Sequence, residues 1–329
     1  MPNFNLGGER PVSTVSHGRG GPQRRDRLSP AYIQTIKRTV HQTPEVVVKV
    51  LNRGGQSLGS VAGHINYLSR MGELEIETDE GERIKSTGAG TLLLDHWLLD
   101  LDEERRTADL KARGIFKPPK LVQKLIFSMP AGTPPEKVLT AVKNFAREEF
   151  ALKHRYAMVL HTDEPHPHVH LVVKAMGEGG KRLNIRRETL REWRGEFARH
   201  LRAQGVAANA TPRQVRGEIK PPKTDGIYRA ALRGASTHQW SREEAVAREL
   251  AGGEVKTEPG KDRLLETRRQ VVRGWNAVAY TLVKQDQVEL ALAVRRFVDR
   301  MPPPRTEKEQ ITERWRVLAR DRAEREMAR

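Results

Sequence analysis

Runs of β-branched residues alternate with amphipathic stretches through the middle of the chain, and the two patterns predict different elements. Apolar runs bounded by turn residues predict strands at residues 45–51, 121–129, 154–161 and 168–174, and a hairpin at 74–85. Apolar positions spaced three and four apart predict helices at residues 57–71, 91–101, 134–150 and 188–204. The charged stretch 102–120 predicts an exposed connector. The irregular order favours an α+β fold with helices on an antiparallel sheet.

Four segments differ in composition. Residues 1–44 are basic and rich in Gly, Ser and Pro, which predicts a mostly disordered arm with room for one short helix at 31–40. Residues 45–216 hold the predicted sheet. Residues 217–262 predict a linker with room for one helix, and residues 263–329 predict a C-terminal helical region.

The charge balance points to a polyanionic partner. Lysine and arginine number 59 against 42 acidic residues, a formal charge of +17, so nucleic acid is the first expectation and an anionic membrane surface the second. The absence of cysteine excludes disulfides and thiolate metal sites and fits a cytoplasmic setting. We expect no membrane insertion, because no run of 18 apolar residues occurs.

Four histidines fall within ten residues, in the segment HTDEPHPHVH that begins at His161. Side chains two positions apart on a strand share a face, so His168 and His170 project together, and His161 can join them if the two strands pair. Three imidazoles can bind one divalent cation and leave positions open for substrate oxygens. Asp163 could orient a ligand histidine by accepting its other ring proton, and His166 could be a fourth ligand or a phosphate contact.

A tyrosine stands apart from the apolar stripe of the helix predicted at 57–71. That stripe consists of Leu58, Val61, Ala62, Ile65 and Leu68. Tyr67 lies about half a turn from Leu58, on the side of Ser60, Gly63 and His64, where small or polar neighbours leave room for a ligand. Periodicity alone favours an ordinary surface tyrosine.

Three segments together resemble a known family. Residues 161–170 resemble the three-histidine motif of conjugative relaxases of the P-type mobilisation class, the MobA-like relaxases. Residues 46–77 resemble that family's N-terminal tyrosine motif, with a YLSR stretch similar to the T-DNA border endonuclease branch. Residues 124–133 (KLIFSMPAGT) resemble the middle motif, and the three occur in family order.

The resemblance implies a fold and a set of site residues. The fold is a His-hydrophobic-His endonuclease domain centred on an antiparallel sheet. Tyr67 would be the nucleophile that nicks one DNA strand at an origin of transfer and keeps a 5′-phosphotyrosyl link. His161, His168 and His170 would bind the metal, and Ser128 would sit near the DNA backbone.

The resemblance also implies cofactors and partners. The family works with Mg²⁺ or Mn²⁺, whereas all-imidazole ligation favours transition metals such as Mn²⁺, Co²⁺ or Zn²⁺ over Mg²⁺, with Ni²⁺ as a further candidate. An accessory mobilisation protein and a type IV secretion coupling protein are the expected partners besides DNA. Two positions depart from the family pattern: Lys174 stands where asparagine is frequent, and Pro165 where the border endonuclease branch has an acid.

Basic residues follow the histidine motif closely. We expect Lys181, Arg182, Arg186 and Arg187 to contact DNA phosphates, which gives affinity rather than sequence reading. An ordinary solvated helix face, with neighbouring glutamates as partners, is the alternative for this segment.

Two other functions fit part of the sequence. A histidine-triad nucleotide hydrolase would explain the alternating histidines at 166, 168 and 170 but neither Tyr67 nor the charge of +17. A non-catalytic DNA-binding mobilisation protein would explain the charge, although intact tyrosine and histidine motifs argue against it.

Overall fold

A computed structural model of the chain describes residues 6, 27–51, 55–113, 119–218, 230, 233–234, 236–253 and 256–327. Residues 1–5 and 7–26 of the predicted arm, residues 52–54 before the tyrosine helix and residues 219–229 of the predicted linker lie outside the described residues. The described residues form two compact units. One comprises residues 41–211, and the other comprises residues 6 and 27–40 with the described part of 212–327.

The strands are β1 Val47–Val50, β2 Ile76–Thr78, β3 Arg83–Ile84, β4 Val122–Ser128, β5 Tyr156–His161 and β6 His168–Lys174. The helices are α1 Pro30–Val40, α2 Leu58–Leu68, α3 Ala89–His96, α4 Leu99–Arg113, α5 Pro135–Phe150, α6 Arg187–Ala203, α7 Thr237–Ala251, α8 Lys261–Lys284, α9 Val288–Asp299 and α10 Glu307–Met327. The strands form a six-stranded sheet in the order β1-β4-β6-β5-β2-β3, and every neighbouring pair is antiparallel. The expected α+β fold is confirmed.

One face of the sheet carries the larger apolar core. Odd-numbered residues of β4 and β6, such as Phe127 and Leu171, point to the side that α5 and α6 cover. Phe127 meets Phe145 of α5 and Phe197 of α6 at ring-centroid distances of 4.9 and 5.2 Å. Because these strands alternate strictly, their other residues must face the opposite side.

The opposite face packs against α2, α3 and α4. Its apolar part joins Val122 and Val172 of the sheet to Val61 and Ile65 of α2 and to Trp97. At one end of this face the apolar residues give way to histidines and to Ser128, which share the parity of Val122 and Val172. The site residues therefore lie on the α2 side of the sheet.

The end of α2 is fixed by local backbone geometry. The Ser57 hydroxyl caps the start of the helix by accepting a hydrogen bond from the Ser60 backbone N–H. The helix ends at Leu68, and Arg70 and Met71 take left-handed conformations with φ of 52° and 57°. This conformation is costly for residues with a Cβ, so the turn after Tyr67 is held by its surroundings.

Residues 99–113 form a helix where the sequence predicts a connector from residue 102 onward. The charged stretch 102–120 was expected to be an exposed connector, whereas its described first half continues helix α4. Asp100 and Asp102 in the first turn favour the helix dipole, and Glu, Arg, Ala and Leu are good helix formers. The single helix expected at 91–101 is divided into α3 and α4 around Leu98, whose φ is 49°.

The second unit is helical. Its core joins Tyr32 and Ile36 of α1 to Trp275 of α8 and Val294 of α9, and the Trp275 indole donates a 2.8 Å hydrogen bond to the Val215 carbonyl. The short helix expected at 31–40 is thus present as α1, and α7 lies in the described part of 217–262, where a helix was expected. The segment boundaries at 45 and 216 stay predictions.

We expect Phe127→Ala to lower the free energy of unfolding by roughly 3–5 kcal/mol, because a fully buried ring that joins both helices to the sheet is lost. Urea denaturation measures the change. Leu152→Ala is the control, since the Leu152 side chain is 99% exposed and should change stability little. Equal losses in the two variants would contradict the assigned core.

Candidate metal centre and nucleophile

Three histidines converge on the α2 side of the sheet. His161 ends β5 and His168 begins β6, and the two are paired in the antiparallel register. The ring centroids lie 5.1 Å apart for His161 and His168, 4.7 Å for His161 and His170, and 5.2 Å for His168 and His170. One nitrogen from each ring lies within 4.8 Å of the other two. The predicted strand pairing thus brings together the side chains expected to bind a metal.

Backbone carbonyls hold two of the three rings. His161 Nε2 lies 2.8 Å from the Leu68 carbonyl oxygen, and His168 Nδ1 lies 3.0 Å from the His166 carbonyl oxygen. With a proton on each of these nitrogens, the other nitrogen of each ring keeps its lone pair. His170 Nδ1 is buried and has no hydrogen-bond partner among the described residues. This donor set fits a divalent cation.

Burial keeps the imidazoles of His161 and His170 neutral, which is the form that binds metals. Desolvation lowers the pKa of His170 to about 3, and the neighbouring charges of His161, His168, His64 and Arg70 act in the same direction. Desolvation also lowers the pKa of His161, against the opposing effect of its hydrogen bond to Leu68.

Asp163 has a different partner from the one expected. Its Oδ1 is 3.9 Å from His161 Nδ1, beyond hydrogen-bonding distance, and its other oxygen forms an ion pair with Arg70. Slight desolvation raises the pKa of Asp163, but a backbone hydrogen bond and Arg70 outweigh it and the pKa is lowered. The Leu68 carbonyl takes the role that the sequence suggested for Asp163.

The chain neighbours of Tyr67 connect the end of α2 to this cluster. The next residue, Leu68, accepts the hydrogen bond of His161, and Arg70 pairs with Asp163 just beyond β5. The Tyr67 side chain is 62% exposed, and the Arg70 guanidinium carbon lies 5.7 Å from its ring centroid. Two contacts thus fasten the last turn of α2 to the histidine strands and leave the phenol open to solvent.

Ser128 and His166 lie at the edge of the cluster. Ser128 is half-buried at the end of β4 and is paired in register with His168. His166 is exposed, and its side chain does not belong to the group of three ligand nitrogens. Its contribution among the described contacts is the carbonyl that holds His168.

The basic residues behind the motif are exposed. Arg182 donates a 2.7 Å hydrogen bond to the Lys120 carbonyl, and the Arg186 backbone N–H donates to Thr189 Oγ1 at the start of α6. The side chains of Lys181 and Arg187 also face solvent. Their contacts with DNA stay predictions.

Of the two departures from the family pattern, Lys174 lies away from the histidine rings. Lys174 is at the opposite end of β6 from His168, where its ammonium donates to the Trp97 carbonyl at 2.6 Å and pairs with Asp102. Pro165 is exposed in the loop between β5 and β6. Lys174 therefore anchors the sheet to α3 and α4.

Sequence reasoning missed two residues and one backbone group near the centre. Arg70 pairs with Asp163 across 93 positions of sequence, and the Leu68 carbonyl is a backbone group without a signature of its own. Lys124 is buried on the same sheet face, but in the sequence it stands out only as part of the KLIFSMPAGT motif. A charged residue inside an otherwise apolar strand is the pattern that could have indicated a role for it.

Comparison with known proteins bears on the same segment. Residues 78–206 match the family model described as “Relaxase: MobA/VirD2-like, nuclease domain”. This segment of the chain is therefore similar to MobA/VirD2-like relaxase nuclease domains. The matched residues include Ser128 and all three histidines, whereas Tyr67 precedes them. The match goes against the histidine-triad alternative.

Curated relatives agree with the family model. The T-DNA border endonuclease VirD2 of Agrobacterium fabrum is 26% identical over 198 residues, which is 56% of this chain and 43% of that protein. VirD2 of Rhizobium rhizogenes is 26% identical over 204 residues, 58% of this chain and 46% of that protein. The chain thus spans less than half the length of these relatives.

A solved structure described as “Molecular Basis of Vancomycin Resistance Transfer in Staphylococcus aureus” aligns with 52% of this chain and 99% of that chain. The identity is 14% and the TM-score 0.32, an overlap too low to bear on the fold. Among the described helices, none is long and apolar enough to cross a membrane.

We expect His168→Ala to weaken Mn²⁺ binding by more than about 100-fold. Loss of a residue that only holds a ligand in place weakens metal binding by up to about 100-fold, and loss of a ligand itself should cost more. Isothermal titration calorimetry measures the affinity. His166→Ala is the matched control, because it removes a neighbouring imidazole but keeps the carbonyl that holds His168. An equal loss in His166→Ala would make His166 a ligand, and no histidine-dependent binding would favour the non-catalytic alternative.

Proposed function

We propose that the chain nicks one strand of DNA at an origin of transfer and remains joined to it through Tyr67, in the transfer of a plasmid or another mobile element. The observation that carries this proposal is the 2.8 Å hydrogen bond between the Leu68 carbonyl and His161. It ties the turn that bears the tyrosine to a cluster of three imidazoles. The relatives named as border endonucleases support DNA as the substrate.

The reaction is an exchange of one phosphodiester for another. The Tyr67 oxygen attacks the scissile phosphorus, a P–O bond forms to the phenol, and the bond to the 3′-oxygen breaks. The phenolic proton is removed during attack, and the 3′-oxygen gains a proton to become a hydroxyl. Because one phosphodiester is lost and one is gained, the free 3′ end can reverse the step and rejoin the strand.

His161, His168 and His170 would hold the metal that the family implies, Mg²⁺ or Mn²⁺, with Zn²⁺, Co²⁺ or Ni²⁺ suited to the all-imidazole set. When bound, a divalent cation neutralises phosphate charge and orients the group for attack. The imidazole strands supply a rigid platform, since His161 and His168 are each fixed by a carbonyl hydrogen bond.

Arg70 lies beside the phenol. Its guanidinium lies near the face of the Tyr67 ring while its ion pair with Asp163 fixes its position. A positive charge at this position attracts the substrate phosphate. The 62% exposure of Tyr67 leaves a path for a single strand to reach it.

The proposed partners are inferred from the net charge of the chain and from the family that it resembles. A net charge of +17 supplies sequence-independent affinity for DNA, to which Lys181, Arg182, Arg186, Arg187 and His166 contribute in this proposal. Ser128, beside His168, contacts the DNA backbone near the nick. An accessory mobilisation protein and a type IV secretion coupling protein complete the proposed assembly.

We expect Tyr67→Phe to abolish the covalent adduct with a single-stranded origin oligonucleotide while binding is retained, because only the attacking hydroxyl is removed. Denaturing gel electrophoresis detects the adduct. Tyr280→Phe is the control, since Tyr280 is 63% exposed and also has a cation, Lys284, 4.5 Å from its ring centroid. A stable adduct in Tyr67→Phe would assign the nucleophile elsewhere.

A further inference from the structure

A lysine is buried on the sheet face that carries the histidines. Lys124 of β4 is only 5% exposed. Its backbone carbonyl accepts a hydrogen bond from the Leu51 N–H, but its ammonium forms no hydrogen bond or ion pair with a residue that the structure describes. Taking an ammonium group out of water without a partner is costly, so such groups are normally paired. Methionine or leucine would fill the position at lower cost.

The start of the tyrosine helix covers this lysine. Gly55 has a φ of 87°, and a Cβ placed there would lie 3.1 Å from the Val122 carbonyl oxygen and 3.5 Å from Lys124 Cε. The absence of a side chain at Gly55 therefore lets the backbone lie against β4 and the lysine stem. Lys120, whose ammonium donates to the Leu51 carbonyl, adds a second positive charge nearby.

His64 links the lysine to the metal centre. It lies three residues before Tyr67 on the same side of α2, and its Nε2 is buried without a hydrogen-bond partner among the described residues. Burial and the charge of Lys124 lower the pKa of His64 to about 4, and His64 in turn acts on His170.

The strand register aligns these residues with the site. On β4, Ser128 is opposite His168, Ile126 is opposite His170, and Lys124 comes next along the same face. Each step of two residues covers roughly 6.6 Å. His64 precedes Tyr67 by roughly 4.5 Å along the helix axis. Because α2 ends at Leu68 beside His161 and Gly55 before its start lies beside Lys124, both elements continue from the metal centre in the same direction.

We propose that Lys124 and His64 form a second phosphate subsite, which binds a backbone phosphate next to the scissile one on the same strand. The inference rests on the proposed function, because it takes single-stranded DNA as the ligand. A phosphate oxygen supplies the missing partner of both groups: it accepts a hydrogen bond from the Lys124 ammonium and another from His64 Nε2–H. The subsite positions the strand and takes no part in bond exchange.

The test measures DNA binding without cleavage. Affinity for a short single-stranded oligothymidylate is measured at several salt concentrations in the Tyr67→Phe protein, with and without Lys124→Met. Loss of one phosphate contact makes the slope of log affinity against log salt less negative by about 0.7. Lys137→Met is the charge-matched control, because Lys137 is exposed on α5, on the other face of the sheet. Equal slopes in Lys124→Met and Lys137→Met would overturn the subsite.

Thermal unfolding separates this role from a structural one. We expect the Tm of Lys124→Met to equal or exceed that of the parent, because the variant fills the same space without an unpaired charge. A Tm lowered further than in Lys137→Met, or failure to fold, would make Lys124 structural and overturn the proposal. Adduct formation by the protein with Tyr67 intact is scored separately. An unchanged slope beside a normal adduct refutes the subsite alone, and a changed slope without an adduct refutes only the nicking assignment.

Discussion

The hydrogen bond between the Leu68 carbonyl and His161 is the contact on which the rest of the site depends. Strand alternation places three imidazoles on one face of the sheet, but it cannot by itself bring the helix that carries Tyr67 to them. The carbonyl at the end of α2 does so, and the Arg70–Asp163 ion pair fastens the same turn a second time. The site is therefore a junction between a helix end and two strand ends.

The division of the sheet into two faces makes this junction possible. Phenylalanine side chains, α5 and α6 fill one face and supply the apolar core. The other face is covered by smaller helices, and its apolar packing stops before the histidines. The apolar face under α5 and α6 thus makes the sheet rigid. The face toward α2 carries the imidazoles, a serine and a buried lysine.

Much of this arrangement could be predicted from local rules. The spacing of His168 and His170 and the short link after His161 were enough to predict their convergence, because strand parity is independent of the rest of the fold. The strands of the central sheet and helices α2, α5 and α6 followed from apolar periodicity.

Other features depend on contacts that no local pattern encodes. The partner of His161 is a backbone carbonyl 93 residues away, so Asp163, nearby in sequence, was the natural expectation. The charge of residues 99–113 obscured helix α4, because a helix with few apolar residues lacks the stripe that periodicity detects. A shared role for Lys124 and His64 could not be predicted, because it depends on the packing of β4 against α2.

Mass spectrometry of the DNA-linked peptide tests most directly whether the helix end and the imidazoles act as one centre. After nicking of a single-stranded origin oligonucleotide, trypsin should release the DNA joined to the peptide between Arg53 and Arg70, with the mass increase on Tyr67. The same adduct should be absent from His168→Ala. Attachment to any other residue, or an adduct that persists undiminished in His168→Ala, would contradict the account.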